Sequence, residues 1–433
     1  IISGINILFM PLHGGGMEIF MSELDIKNIK AYEILDSRGN PTVEAHITLE
    51  NGSVGVSAVP SGASTGMHEA LEMRDGDMGR FRGKGVLKAK NIIETVIKDA
   101  LIGRCAANQR RIDNALCKLD GTENKSNLGA NATLAVSQAV AKAAASGRRI
   151  PLWKHIGGIN SYMMPLPMMN ILNGGAHADN NIEIQEFMIV PVGAKTFRCG
   201  VEMCADVYAK LRSILKENDL STAVGDEGGF APELDGDEEA VELLCKAIEN
   251  CGYKLYKDFK IALDIASSEW YENGIYRLQK SGEMKTPGEL LDFYDDLIEN
   301  YPIISIEDGA AEDDFDTWEE LTKRFGSKIQ LVGDDLFVTN VKRIQKGIDR
   351  KLSNAVLIKP NQIGTVTETI DAVHLAREHG MGTIISHRSG ETADTFIADL
   401  AVGLNAGQIK TGAPCRSERC EKYNRLMKIE DEI

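Results

Sequence analysis

The sequence lacks the patterns that mark disulfide-stapled, thiolate-metal and membrane-spanning proteins. Its eight cysteines form no Cys-x-x-Cys pair, and a chain of 433 residues does not need disulfide bonds to support its core. We therefore expect reduced thiols in a cytoplasmic protein. Beyond the first twenty residues no segment holds 18 uninterrupted apolar residues, so we expect no membrane insertion.

Nucleotide-binding glycine motifs and an excess of positive charge are also missing. No Gly-x-Gly-x-x-Gly fingerprint and no P-loop sequence occurs. The net charge of −16 argues against nucleic acid as the main partner. A small anionic substrate remains compatible with this composition, because the charge of a local site can oppose the average.

The first 21 residues differ from the rest of the chain. They are largely apolar but lack the basic start and small-residue cleavage site of a secretory signal. Met21-Ser22-Glu23 resembles a translation start. We therefore expect residues 1–21 to be a non-native or disordered extension.

Residues 22–155 are expected to form a smaller α+β domain. Apolar and polar residues alternate from 43 to 58, and Asn51-Gly52 interrupts the alternation, which predicts a β-hairpin. From 88 to 150 the period becomes helical, in the stretches KAKNIIETVIKDALIG and NATLAVSQAVAKAAASG. Strands followed by helices are typical of an α+β domain.

Residues 156–433 are expected to form an α/β barrel. Short apolar runs ending in polar residues alternate with helical stretches; the runs are KIALDIASS, IISIEDG, IQLVGDD, AVLIKPNQ and GTIISHRSG. Such strands indicate a parallel sheet that helices cover on both faces. Successive units of this kind favour a closed (β/α)8 barrel, and an open doubly wound sheet is the alternative.

Charged or polar residues follow these strands at intervals of about one strand–helix unit after the first. They are Asp264, Glu307, Asp334, Lys359, His387 and Lys410. In a (β/α)8 barrel the carboxyl ends of all strands face one mouth. One charged residue at a strand end is commonly a solvated terminus, but six in succession predict a functional site.

The residue types at this mouth indicate metal-assisted proton chemistry. Three carboxylates without cysteine or paired histidine favour Mg²⁺ over Zn²⁺. Glu307-Asp308 and Asp334-Asp335 each offer two candidates, and the residue types do not choose between them. Lys359, Lys410 and Arg388 balance the three carboxylates, and a divalent ion would make the site cationic. We therefore expect a lowered lysine pKa, which suits removal of a weakly acidic C–H proton.

Three further stretches combine glycines with polar residues. VGDEGGF places Glu227 among glycines, and NGGAHADNNIEIQEF leads into Gln185-Glu186. Glycines allow the backbone to approach a ligand closely, although each stretch is also compatible with an ordinary acidic turn. PSGASTG, at 60–66, resembles a phosphate-binding loop without the spacing of a P-loop.

Longer motifs across residues 25–430 resemble those of the enolase family, and of its bacterial members especially. They occur in the order YEILDSRGNPTVE, PSGASTGMHEALEMRDGD, NGGAHADNN, QEFMIVPVGA, VGDEGGFAP, SIEDG, LVGDDLFVTN, IKPNQIGT, SHRSGET and GQIKTGAP. The resemblance implies a (β/α)8-type barrel with irregular first units, preceded by the smaller domain. It also implies a lyase that reversibly dehydrates 2-phosphoglycerate to phosphoenolpyruvate in glycolysis and gluconeogenesis. Two Mg²⁺ ions per active site are implied, the second arriving with the substrate.

The resemblance further implies roles for individual residues. Lys359 matches the general base that takes the C2 proton, and Glu227 matches the general acid that protonates the leaving C3 hydroxyl. The positions of Mg²⁺ ligands are occupied by Asp264, Glu307, Asp334 and, on a closing loop, Ser64. The substrate-binding positions are occupied by His177, Gln185, Glu186, His387, Arg388, Ser389 and Lys410. Within that set, Arg388 and Ser389 match a phosphate clamp, and Lys410 matches a residue that binds the substrate carboxylate.

Two alternatives remain open to the sequence. One is another enolase-superfamily acid-sugar dehydratase or racemase, although Ser64, His177 and Glu227 suit a phosphorylated substrate. The other is a binding role at the cell surface or in an RNA-processing assembly, alongside catalysis. From the resemblance we expect a homo-oligomer, either a dimer or an octamer, and a cell-surface or secreted pool in addition to the cytoplasmic one.

Overall fold

A computed structural model of the chain describes residues 22–62 and 66–433. The expected extension at residues 1–21 and the expected metal ligand Ser64 lie outside these ranges. Within them, no helix combines the length and the apolar character that a membrane crossing requires.

The first part of the chain is an antiparallel sheet packed against helices. The strands pair in the order β1 (Ile26–Leu35), β2 (Pro41–Leu49) and β3 (Val54–Ala58). The helices are α1 (Leu87–Ile92), α2 (Lys98–Leu101), α3 (Gln109–Asp120), α4 (Ala130–Arg148) and α5 (Leu152–Gly157), with a π-helical turn at Ile93–Ile97. The hairpin predicted at Asn51-Gly52 joins β2 to β3 and is confirmed, as are both predicted helical regions.

Small residues bring helix α4 close to this sheet. Most of α4 is buried, and its alanines form part of the hydrophobic core of this domain. A Cβ atom on Gly55 of β3 would lie 2.1 Å from the carbonyl oxygen of Ala139. A side chain at position 55 would therefore force the sheet and the helix apart.

The remaining residues form a closed eight-stranded barrel surrounded by helices. Its first strands are β4 (Leu166–Asn173), β5 (Glu186–Val190) and β6 (Lys260–Asp264). A small separate sheet follows, made of β7 (Tyr271–Glu272), β8 (Ile275–Arg277) and β9 (Met284–Lys285). The barrel continues with β10 (Ile303–Glu307), β11 (Gln330–Gly333), β12 (Ala355–Ile358), β13 (Gly382–Ser386) and β14 (Gly407–Lys410).

Eight helices of the described residues accompany these strands. They are α6 (Phe197–Glu217), α7 (Asp237–Asn250), α8 (Pro287–Asn300), α9 (Phe315–Phe325), α10 (Val341–Arg350), α11 (Val366–Glu378), α12 (Phe396–Gly403) and α13 (Ser417–Glu432). One apolar cluster combines residues of the strands with residues of these helices. A second cluster takes residues from β4, β5, β6, β11, β12 and β13, as expected for side chains that fill the barrel interior.

The irregular first units that the resemblance implies are found at the second strand of the barrel. β5 pairs antiparallel with both β4 and β6, whereas the other neighbouring strands are parallel. The connection at 174–185 contains only the short 3₁₀ turn Gly175–His177 and no crossover helix. A parallel return normally needs such a helix, so this connection reverses the chain at the mouth of the barrel.

The two domains share polar contacts close to the mouth. Lys142 Nζ lies 2.6 Å from Asp394 Oδ2, and Thr133 Oγ1 donates a 2.8 Å hydrogen bond to the carbonyl of Gly364. The buried carboxylate of Asp113 accepts from the backbone N–H of Thr367, at the start of α11. The smaller domain therefore braces the loops that follow β12 and β13.

Candidate active site

The strand-end residues converge as the sequence predicts. Asp264, Glu307 and Lys410 are the last residues of β6, β10 and β14, and Asp334, Lys359 and His387 directly follow β11, β12 and β13. One cavity at the mouth is lined by the predicted residues His177, Gln185, Glu186, Glu227, Asp264, Asp334, Lys359, His387, Arg388, Ser389 and Lys410. Glu307 is not among the lining residues but contacts Lys410.

Lys410 lies at the centre of a cluster of buried carboxylates. Its Nζ lies 2.9 Å from Asp264 Oδ2, 2.8 Å from Glu307 Oε1 and 3.3 Å from Glu186 Oε2. Burial by itself lowers the pKa of Lys410, but the charges of these carboxylates outweigh burial and hold the pKa well above its usual value. Lys410 is therefore an ammonium ion in the structure.

Lys359 is also paired with a carboxylate. Its Nζ contacts Asp334 Oδ2, and its backbone N–H donates to the hydroxyl of Thr339 over 2.9 Å. Burial lowers the pKa of Lys359, yet Asp334 and Glu307 outweigh both burial and the nearby cations, so the pKa is raised. The expected lowering of the lysine pKa concerns a site that also holds a divalent ion, and it stays a prediction.

The mouth contains more carboxylates than the three that the sequence places at the strand ends. Asp308 accepts hydrogen bonds of 2.9 Å from the backbone N–H groups of both Asp334 and Asp335, and thereby fixes the loop after β11. Burial, Asp335 and Asp334 raise the pKa of Asp308 well above its usual value. We refer to Lys359, Lys410 and their carboxylate partners as the lysine side of the mouth.

A second group of residues, which we call the histidine side, consists of His177, Glu227, His387 and Glu186, and Glu186 also contacts Lys410. His387 Nε2 lies 3.2 Å from Glu227 Oε2, and His177 Nδ1 lies 3.5 Å from Glu186 Oε1. Burial lowers the pKa of His387 to about 4 and also lowers that of His177. Both imidazoles are therefore neutral at pH 7.

The hydrogen bonds of His387 determine which ring nitrogen carries its proton. Arg419 donates to Nδ1 over 2.7 Å, so the proton of the neutral ring belongs on Nε2, which faces Glu227. Asn170 donates a hydrogen bond to Glu227 Oε2 over 3.0 Å. The carboxylate of Glu227 therefore accepts from a neutral amide and lies beside the neutral ring of His387.

The two glutamates of the histidine side differ in their affinity for a proton. Burial and the charge of Glu227 raise the pKa of Glu186 well above its usual value. Burial raises the pKa of Glu227 as well, but its contact with the neutral His387 and the charge of Arg419 hold it below the usual range. Glu186 is therefore the carboxyl group that retains a proton in this pair.

The predicted phosphate clamp lies beside an internal carboxylate. Arg388 donates to Glu69 from both Nη atoms, over 2.9 Å to Oε2 and 3.1 Å to Oε1. Ser389, the next residue, accepts from Arg38 Nη1 over 3.2 Å. Glu69 and Arg38 belong to the smaller domain, so both domains contribute to this end of the site.

The sequence analysis missed several residues of the site, among them Glu69, Asn170, Gln362 and Arg419. Asn170 left a usable signal, because it is an amide in the middle of strand β4, whose other residues up to Leu172 are apolar. Arg419 left none, since an arginine in helix α13 resembles an ordinary surface residue. In the structure it is fully buried and also donates to the carbonyls of Arg388 and Ser389.

The donor atoms at the mouth fit a hard divalent cation. Carboxylate oxygens of Asp308, Asp334 and Asp335 lie within 4.8 Å of one another. Asp264 and Glu307 instead share Lys410, so the implied set of Asp264, Glu307 and Asp334 is not one such group among the described residues. The buried Gln185 Oε1 accepts no hydrogen bond from the described residues, which leaves it available to a ligand.

Family comparison agrees with this arrangement along nearly the whole described chain. The N-terminal domain of enolase matches residues 26–156, and the C-terminal TIM barrel domain of enolase matches residues 161–433. The chain belongs to the enolase family. Enolase-family domains generally bind Mg²⁺, in agreement with the acidic groups at the mouth. Membership of the enolase family also indicates a lyase that acts on a small molecule.

Proposed function

We propose that the protein catalyses the reversible, Mg²⁺-dependent dehydration of 2-phosphoglycerate to phosphoenolpyruvate. The observation that supports this proposal best is one cavity lined by Lys359 and Lys410 and by the glutamates Glu186 and Glu227. The reaction removes a proton from C2 and a hydroxide from C3, so it needs a base and an acid. The lysine side and the histidine side could supply them.

Lys359 is the proposed base. Because it is an ammonium ion in contact with Asp334, it releases one proton to solvent water before it accepts the C2 proton. A bound Mg²⁺ would compete for the neighbouring carboxylates and stabilise the negative charge that develops on the substrate carboxylate. Lys410 would add a fixed positive charge near the same carboxylate, and Asp264, Glu307 and Asp334 are the ligands that we propose for the metal.

The proposed acid is a glutamate of the histidine side. Glu227 has this role by resemblance, and it would deliver a proton to the C3 hydroxyl so that water leaves. The pKa directions make Glu186 the group that holds the proton before the reaction. We propose that the proton belongs to the pair and reaches the hydroxyl through Glu227, with His177 and His387 as neutral neighbours.

The remaining predicted residues would bind the substrate. Arg388 is the proposed contact for the phosphate, with Ser389 beside it, and Gln185 offers a buried carbonyl oxygen to a substrate hydroxyl. Ser64 is proposed to join a second Mg²⁺ that arrives with the substrate. A cytoplasmic homo-oligomer, dimeric or octameric, is part of the same proposal.

The direct test follows phosphoenolpyruvate formation by ultraviolet absorbance. Purified protein receives 2-phosphoglycerate with Mg²⁺, and in a parallel sample with excess chelator. We expect turnover only in the presence of the metal. No turnover by folded, metal-supplemented protein would contradict the proposal, and turnover of an unphosphorylated acid sugar instead would identify a different dehydratase of the superfamily.

A further inference from the structure

Gln362 is a buried amide that touches several parts of the site without lining its cavity. It ends the 3₁₀ turn Pro360–Gln362, which directly follows Lys359. Its side chain contacts Asp334, Glu69 and Thr339. Asp334 and Thr339 lie in the loop after β11 of the barrel, and Glu69 belongs to the smaller domain. Gln362 therefore joins elements that are distant in the sequence.

The hydrogen bonds around Gln362 allow a single orientation of its amide. Thr339 Oγ1 accepts from the backbone N–H of Lys359, so its hydroxyl proton is directed to Gln362 Oε1, 2.9 Å away. The amide nitrogen then faces two carboxylates, donating over 2.9 Å to Asp334 Oδ1 and over 3.3 Å to Glu69 Oε1. A flipped amide would place an oxygen against both carboxylates and would be repelled.

These contacts reach both the proposed base and the proposed phosphate clamp. Asp334 receives Gln362 on Oδ1 and Lys359 on Oδ2, so the amide fixes the rotation of the carboxylate that holds the lysine. Glu69 receives Gln362 on the same oxygen that Arg388 Nη2 uses, and it also accepts from the backbone of Gly66. The amide therefore lies between the lysine and the guanidinium.

We propose that Gln362 is a positioning residue that sets the distance and orientation of Lys359 and Asp334 relative to Glu69 and Arg388. The inference rests on the proposed function, because it assigns Gln362 to the proton-removal step of that reaction. Neighbours that orient the ligands and bases of a site commonly change activity by about 10–100-fold when they are replaced. Gln362 would act on turnover more than on substrate binding, since it orients the base and touches the clamp only through Glu69.

The test replaces Gln362 by methionine, which keeps the length of the side chain and removes its hydrogen bonds. We expect Gln362→Met to lower kcat by about 10–100-fold, as when other residues that orient the ligands of a site are replaced. KM should change less than kcat. Exchange of the C2 hydrogen of 2-phosphoglycerate with deuterated solvent, which reports proton removal alone, should slow in parallel. Gln362→Glu should lose more, because it places a third carboxyl group beside Asp334 and Glu69.

Gln138→Met is the matched control. Gln138 is also buried, accepts a hydrogen bond of 2.7 Å from Ser57, and lies on α4 away from the cavity. It should lose stability without a fall in kcat or exchange rate. Equal kinetic losses in both variants would overturn the proposal, as would wild-type kinetics in Gln362→Met.

A second pair of variants covers the case in which Gln362→Met does not fold. Thr339→Val removes the hydroxyl that orients the amide, and Thr339→Ser retains it. We expect a fall in kcat for the valine variant and recovery with serine; equal activities would contradict the proposal. If the wild-type protein does not turn over 2-phosphoglycerate at all, the proposed function fails and this inference with it. Wild-type turnover with unaffected variants overturns this inference alone.

Discussion

On the lysine side of the mouth each lysine touches carboxylates directly, whereas on the histidine side two neutral imidazoles lie beside two buried glutamates. The first arrangement keeps protons on nitrogen, because the carboxylates raise the pKa of Lys359 and Lys410. The second keeps a proton on oxygen, because burial lowers the histidine pKa values and raises that of Glu186. The same burial therefore prepares two sides with opposite proton affinities, and what differs is the charge of the nearest neighbours.

The largest expected effect comes from removing the base on the lysine side. Lys359→Ala should fold and bind Mg²⁺ but lose roughly 10²–10⁴-fold or more of its turnover, since it removes the proposed base for the C2 proton. Turnover and C2 hydrogen exchange should fall together. Lys342→Ala is the control, because Lys342 is a largely exposed lysine paired with Glu123 on the surface. Unchanged turnover in Lys359→Ala would exclude the base role.

The histidine side can be divided by the two glutamine variants Glu227→Gln and Glu186→Gln. Glu227→Gln should bind substrate and Mg²⁺ and still exchange the C2 hydrogen, but lose about 10²–10³-fold in water elimination, as for loss of a general acid. Glu186→Gln should show a smaller loss if its proton only supplies Glu227. A larger loss in Glu186→Gln would assign the acid to Glu186, and loss of metal binding by Glu227→Gln would contradict its role.

Lys410 tests whether the carboxylates of the lysine side need a cation. Lys410→Met leaves Asp264, Glu307 and Glu186 without the ammonium group and should cost about 3–5 kcal/mol of the free energy of unfolding. Added Mg²⁺ should restore part of that loss, measured as the urea midpoint with and without the ion. Lys422→Met, which breaks the buried pair with Glu391, is the matched control. It should be destabilised without rescue by Mg²⁺, and equal responses would contradict a metal at the mouth.

A pH titration of stability gives the smallest expected effect. The pKa of His387 is about 4 in the folded chain, below the usual 6.5 of the unfolded chain. The unfolded chain therefore binds this proton first, and the free energy of unfolding decreases as the pH falls from 6.5 to 4. The loss amounts to roughly 3 kcal/mol. Comparing the urea stability of wild type with that of His387→Asn isolates it, because the difference should shrink over this window.

Asp237 provides a control of opposite sign. Burial raises its pKa to about 6, above the usual 3.8, so the folded chain binds this proton first and stability is gained as pH falls from 6 to 3.8. The comparison of wild type with Asp237→Asn should therefore slope the other way. A difference between wild type and His387→Asn that does not vary with pH would contradict the neutral state assigned to His387.

Much of the site was predictable because strand direction is a simple rule. Once the strands are parallel, Asp264, Glu307 and Asp334 must meet at one mouth, and the regular spacing of polar residues after apolar runs identifies them. The direction of β5 was missed, although the connection at 174–185 contains no helical pattern long enough for a crossover. Its antiparallel pairing places Glu186 at the start of a strand and still at the mouth.

The protonation of the site was not predictable, because it depends on distances of a few ångströms. The sequence indicates that Lys359 has cationic neighbours, but not that Asp334 is in direct contact with it. The same holds for Arg419, whose position in α13 gives no sign that it donates to His387. Contacts between side chains that are distant in sequence decide these pKa values, and no local pattern encodes them.

The contacts of Glu69 and Thr133 limit which combinations of the two domains can function together. Although the sequence divides near residues 156–161, the guanidinium of Arg388 is held by Glu69 and the loop after β12 by Thr133, both from the smaller domain. Recombination at the boundary preserves these contacts only where the new partner domain carries the same groups. The two domains therefore constrain each other's variation, and we expect exchange of either one between distant relatives to yield hybrids that fold but act slowly.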